Sequence, residues 1–105
     1  MFKSHAMTRS EKRLPMAVAV RIAGHAALPG VETTFTEDVC SHGAMVYSAR
    51  RWKTEEHLQI ATLAGDFRSV ARVAWCHPVR EIGFAVGLQF IEPSGRWVVA
   101  SAVAS

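Results

Sequence analysis

Within the stretch TEDVCSHGAMV, Thr36 to Val46, an acid, a thiol, a hydroxyl, an imidazole and a glycine fall in the positions from Asp38 to Gly43. Three chemistries could use them. Cys40 and His42 share a face of an extended strand or its edge, and Asp38 could orient the imidazole of a thiolate–imidazole pair. Such a pair also needs an oxyanion hole, usually a helix N-terminus, and a substrate cleft. The chain offers no obvious helix for either, so the expectation is a protein that is not an enzyme. Cys40 and His42 taken with Cys76 and His77 make a tetrahedral zinc set by residue type. Their spacing departs from the compact zinc signatures, and the adjacent Cys76 and His77 point to opposite sides of a strand unless the chain bends at Pro78. No metal or cofactor is therefore expected. The third chemistry is recognition of a ligand. Arg9 and Arg13 offer planar guanidinium forks suited to phosphate oxygens or to the O6 and N7 edge of guanine. Asp38 could accept hydrogen bonds from the opposite guanine edge, and Gly43 could admit a close backbone approach or a positive φ. Singly, each residue also suits an ordinary solvated tail, strand end or turn. It is their joint occurrence that points to a guanine nucleotide.

These residues must be positioned by one small domain. The chain has 105 residues, half of them hydrophobic, with a formal net charge of +3, which is enough for a single core and favours an anionic partner. Lys3, Arg9, Lys12, Arg13 and Arg21 stand against Glu11 alone in the first 21 residues, and Arg50, Arg51 and Lys53 form a second group. Two cysteines are too few for a disulfide framework, and Arg21 interrupts the apolar run MAVAV before it could serve as a secretory segment. The expected location is the cytoplasm, with thiols reduced and no insertion into a membrane, since no apolar run approaches the roughly 18 residues a span needs.

Period-two alternation dominates and helical stripes are few, so the expected class is all-β. MAVAVRIAG sets Val18, Val20 and Ile22 on one face. VETTFTEDV sets Val31, Thr33, Phe35 and Glu37 against Thr34, Thr36 and Asp38. AMVYS follows as its partner. HLQIATL leads through Ala64 to Asp66, a hairpin signal, into FRSVARVAWC, with Ala71, Val73 and Trp75 on one side. Pro78 is expected to break that strand, and FAVGLQF closes the set with Phe84, Val86, Leu88 and Phe90 in register. Short antiparallel strands at this spacing predict a six-stranded barrel or a sandwich. The expected layout is a basic arm over residues 1–14, a barrel over 15–91, and a C-terminal tail or short helix over 92–105.

The two marked motifs, in this order, resemble those of the PilZ domain, the bacterial receptor module for cyclic di-GMP. In that family an RxxxR motif precedes the first strand and a [D/N]xSxxG motif ends the second. This chain reads Arg9-Ser-Glu-Lys-Arg13 and Asp38-Val-Cys40-Ser-His-Gly43. The likeness continues through ARVAW, Ala71 to Trp75, and FAVGLQF, and covers about Arg9 to Phe90. RxxxR alone carries almost no information, whereas both motifs with this strand pattern are fairly specific. The resemblance implies a six-stranded β-barrel over which a flexible basic arm folds to clamp cyclic di-GMP. Arg9 and Arg13 would bind phosphate and guanine, while Asp38, Cys40 and Gly43 would hold the guanine from the barrel, with Ser41 and His42 as secondary candidates. The family's serine is Cys40 here, a weaker donor on a longer bond. Losing one neutral hydrogen bond costs about 0.5 to 1.5 kcal/mol, which weakens binding more than it abolishes it.

Two other functions fit the same residues. A barrel of this kind that has lost the nucleotide could act as a protein-interaction adaptor, and Cys40 favours that alternative. A downstream protein partner is expected for either. A small basic barrel could also bind single-stranded nucleic acid on exposed aromatics interleaved with basic residues. Phe35, Phe67, Trp75, Phe84 and Phe90 fall mostly on expected core faces, so a nucleic-acid partner is disfavoured.

Overall fold

The structure is a computed structural model that describes residues 12–100. Strands β2 (Ala19–Ala23), β3 (Val31–Cys40), β4 (Gly43–Ser48), β5 (His57–Thr62), β6 (Phe67–Val79) and β7 (Gly83–Phe90) form a closed antiparallel barrel. Neighbours run β3, β2, β5, β6, β7, β4, and the β3–β4 hairpin completes the circle. Closure gives each of these strands a partner on both sides, which removes the exposed edges of an open sheet. Two short strands are added outside it: β1 (Leu14–Pro15) on β3, and β8 (Ser94–Gly95) on β6.

The alternation read from the sequence holds along most of the wall. Val20, Ile22, Leu58, Ile60, Ala71, Val73, Val86 and Leu88 point inward and are buried. Trp52, from the loop between β4 and β5, fills one end of the interior. Four expectations are corrected. Phe35 and Val31 lie on the outer face and are 57% and 59% exposed, while their strand neighbours Thr34 and Thr36 take the inward side. Trp75 leaves the inward face because a bulge intervenes between Val73 and Trp75 and shifts the alternation by one residue. Pro78 does not break β6, because beyond Arg72 the strand pairs with β7 alone and its second edge requires no donor. Residues 92–100 contain no helix. Pro93 and Gly95, the latter at a φ of 96°, suit an extended path, and Trp97 packs on Phe67 and Phe90 at ring separations of 4.8 and 5.0 Å.

β3 carries the local structure on which the site rests. A second bulge falls between Thr36 and Asp38, so Glu37 is an extra residue opposite β4. Thr36 therefore points inward, and the next inward residue is Val39 instead of Asp38. The segment before β3 is tied here as well. Between β1 and β2 the strand pairing lapses, and Thr36 fills the gap: its hydroxyl accepts from the Val18 N–H at 2.8 Å and donates to the Met16 carbonyl at 2.6 Å, while its own N–H donates to the Val18 carbonyl at 3.0 Å. Glu37, on the outer face, accepts a hydrogen bond from the Tyr47 hydroxyl at 3.1 Å.

Two outcomes are expected. Thr36→Val keeps the shape of the side chain but strands a donor and an acceptor, so urea unfolding should show a loss of about 1 to 3 kcal/mol, and Thr36→Ser much less. An unchanged midpoint for the valine variant would show that the hydroxyl does not hold the segment. Tyr47 is the only tyrosine. The hydrogen bond to Glu37, then desolvation, then the charges of Glu37 and Asp38, raise its phenol above the ordinary value of 10.0. The folded chain thus favours the protonated phenol, and that contribution is present below the unfolded value and lost as pH rises through the raised one. An ultraviolet difference titration should give a midpoint above 10.0 that Glu37→Gln lowers; an unmoved midpoint would separate the two side chains.

Candidate ligand site on the outer wall

Because of the bulge at Glu37, Asp38 and Cys40 lie on the outer side of β3, with Val39 between them fully buried. β1 sets the base of the arm beside them through the pairings Leu14 with Val39 and Pro15 with Asp38. Arg13, immediately before β1, then brings its Nε to 3.4 Å from Asp38 Oδ1. The two motifs, 25 residues apart in the chain, thus meet through one member of each. The Arg13 side chain is 56% exposed and that of Asp38 26% exposed, so the pair is worth at most about 1 kcal/mol and gives way readily to a better partner.

The pair stands on the rim of an open concavity of about 490 Å³. Its lining includes Lys12, Arg13, Asp38, Cys40, His42 and Gly43, and the facing wall is Trp75, Gly87 and Gln89 from β6 and β7. This volume falls in the range of small-molecule sites. The bulge in β6 is what delivers Trp75 to this outer face. Its indole lies against Gly87 of β7, where an added Cβ would come within 2.3 Å of the ring. The His77 ring lies 5.0 Å from it, tilted by 48°. The concavity thus sets an indole in the same lining as a carboxylate and a guanidinium, groups of the kind that contact planar polar ligands.

The β3–β4 hairpin is rigidly held. Cys40 pairs with Gly43 across the two-residue turn Ser41–His42. The Cys40 carbonyl accepts the Trp97 indole N–H at 2.8 Å, and the His42 carbonyl accepts the Phe90 N–H at 2.8 Å. Ser41 Oγ lies 3.1 Å from His42 Nδ1. Gly43 is buried, and its φ lies outside the left-handed region. What requires glycine there is β7: an added Cβ would lie 2.1 Å from the Leu88 carbonyl oxygen.

Of the expected site residues, Arg13, Asp38, Cys40, His42 and Gly43 come together here. Ser41 sits in the turn but does not line the concavity. Arg9 lies outside the described residues. Cys76 packs against the core and accepts the Trp52 N–H at 3.5 Å, away from Cys40. Among the described residues no group of three or more His, Cys, Asp or Glu side chains is gathered to hold a metal ion, and no helix is long and apolar enough to cross a membrane. Sequence reasoning missed Trp75 and Gln89. The signal that pointed to Trp75 was Gly87, a lone glycine inside an apolar strand pattern, which marks a close approach by a neighbouring group.

The fold and site together define a small closed β-barrel with a ligand-sized concavity on its outer wall. No protein-family model matches the chain, and neither does any curated protein.

Gly43→Ala should destabilise the barrel by about 1 to 3 kcal/mol through overpacking against Leu88, read as a lowered thermal midpoint. A midpoint within error of the original would show that the hairpin yields, and that Gly43 is an ordinary turn glycine.

Proposed function

We propose that this chain is a non-enzymatic, cytoplasmic receptor for cyclic di-GMP, in keeping with its resemblance to the PilZ domain. The observation that carries the reading is the meeting of Arg13 and Asp38 at 3.4 Å on the rim of a concavity that also contains Cys40 and Gly43. Separate motifs converging on one ligand-sized surface are what a clamp requires. The exposed ion pair acts as a placeholder. On binding, Arg13 exchanges the Asp38 carboxylate for phosphate oxygens or the O6 and N7 edge of a guanine, and Asp38 accepts from the N1 and amino donors of the opposite edge. Both groups keep hydrogen-bond partners, and the exposed ion pair that is given up is worth little. Trp75 supplies the face on which a guanine base stacks, an interaction worth about 1 to 3 kcal/mol. Arg9, from the arm, adds a second guanidinium. No covalent step is involved.

Cys40 supports a second reading, a protein-interaction adaptor that has lost the nucleotide. A thiol donates a weaker hydrogen bond than the serine of the family motif. Isothermal titration with cyclic di-GMP separates the two. Binding is expected in modest salt, abolished by Arg13→Ala, weakened about fivefold or more by Trp75→Ala, and tightened up to about tenfold by Cys40→Ser. Absence of heat at tens of micromolar protein, with the Cys40→Ser variant equally silent, would remove the receptor reading and leave the adaptor.

A further inference from the structure

On the other side of the barrel, the outer faces of β3, β2, β5 and the start of β6 form a second surface. Arg21 of β2 pairs with Ala61 of β5, and Ala61 pairs with Arg68 of β6, so two guanidinium side chains flank a methyl group in one cross-strand row. Strand spacing sets their Cα atoms about 10 Å apart. Neither arginine has an ion pair or a side-chain hydrogen bond among the described residues, unlike Arg13 and Arg72, which are engaged by Asp38 and Glu55. Above this row lie Phe35, paired with Ala19, and Leu63, whose N–H donates to the Ala19 carbonyl. Below it lies Val31, paired with Ala23. Val31 and Phe35 are the two most exposed large apolar side chains among the described residues, and Leu63 is exposed as well. The lower two rows line a concavity of about 520 Å³ with Glu92 at its rim.

We propose that this face is a docking surface for a partner protein whose contacting segment places carboxylates beside Arg21 and Arg68 and an apolar side chain over Ala61. One aromatic and two arginine residues around an apolar centre, with no lysine and only Glu92 as a carboxylate in the lining of the hollow, approach the composition of a protein interface core. The unpaired guanidiniums supply fork geometry and long-range attraction for carboxylates. A second copy of the chain does not suit the face, because a two-fold contact would set its arginines against those of the copy. A bilayer does not suit it either, because the arginine row sits in a hollow that a planar surface does not enter. The surface stands apart from the concavity around Asp38, so the proposal does not depend on the nucleotide reading.

The test is a random peptide library displayed on phage and panned in parallel on the original protein and on an Arg21→Glu/Arg68→Glu variant. An Arg80→Glu/Arg96→Glu variant serves as the control for net charge. Peptides enriched on the original protein should carry two or more acidic residues around a leucine, isoleucine or phenylalanine. They should bind the Arg21/Arg68 variant at least tenfold more weakly and the control unchanged, and shift the backbone amide signals of Val31, Phe35 and Ala61. Enrichment equal on both proteins, peptides without acids, equal losses in both variants, or no enrichment would each overturn the proposal. Arginine-dependent sedimentation with vesicles of anionic phospholipid, without peptide binding, would assign the face to membranes and overturn it as well. Arg21→Gln/Arg68→Gln, with its unfolding midpoint, provides a milder variant should the reversal perturb folding. Titration of cyclic di-GMP should give the same result with the original protein and with either variant.

Discussion

One extra residue in β3 decides where the chemistry of this protein lies. With strict alternation after Thr36, Asp38 would turn into the interior and leave a carboxylate in the apolar core, where an uncompensated charge costs several kcal/mol. The bulge at Glu37 shifts the alternation by one position, puts the apolar Val39 inside, and brings Asp38 and Cys40 to the outer wall. A core requirement and a surface requirement are met by the same irregularity. Thr36, the last inward residue before the shift, spends its hydroxyl on the Val18 N–H and the Met16 carbonyl, so the segment that leads to Arg13 is registered to the strand that carries Asp38.

The opposing wall repeats the device. The bulge in β6 turns Trp75 outward and the absence of a side chain at Gly87 gives the indole its bed. Two bulges on strands that are not neighbours thereby converge on one concavity. The hairpin between its walls is fastened from below by Trp97, whose indole N–H holds the Cys40 carbonyl while its ring packs on Phe67 and Phe90. Rigid backbone surrounds a weak, exposed ion pair, and this division is the one a reversible clamp needs: a preorganised frame keeps the ordering cost low, and a replaceable internal partner keeps the charges neutralised without a ligand.

Much of this was legible in the residues. The period-two runs of Val20, Ile22, Leu58, Ile60, Val86 and Leu88 define strands because a barrel wall buries alternate side chains, and that rule is local. The clustering of Asp38, Cys40 and Gly43 was equally visible, and glycine at position 43 marked a close approach, which the structure shows β7 making. The faces of Phe35 and Trp75 were read wrongly for two different reasons. In β3 the inward set is Thr34 and Thr36, which are polar residues with backbone partners, and in β6 the alternation changes phase at a bulge. A bulge depends on what lies across the ladder, and the sequence of one strand does not contain its partner.

The sequence by itself determined that the chain is all-β, a set of short antiparallel strands with a basic N-terminal segment and a compact polar loop, since hydrophobic period and turn residues act over a few neighbours. Only the tertiary structure decided that Arg13 reaches Asp38, that Trp75 faces the same hollow, and that the residues after Phe90 run as β8 and an anchored tryptophan instead of a helix. Those outcomes follow from cross-strand register and from packing between segments up to 57 residues apart, and register is a property of pairs of strands that exists only once the barrel has closed.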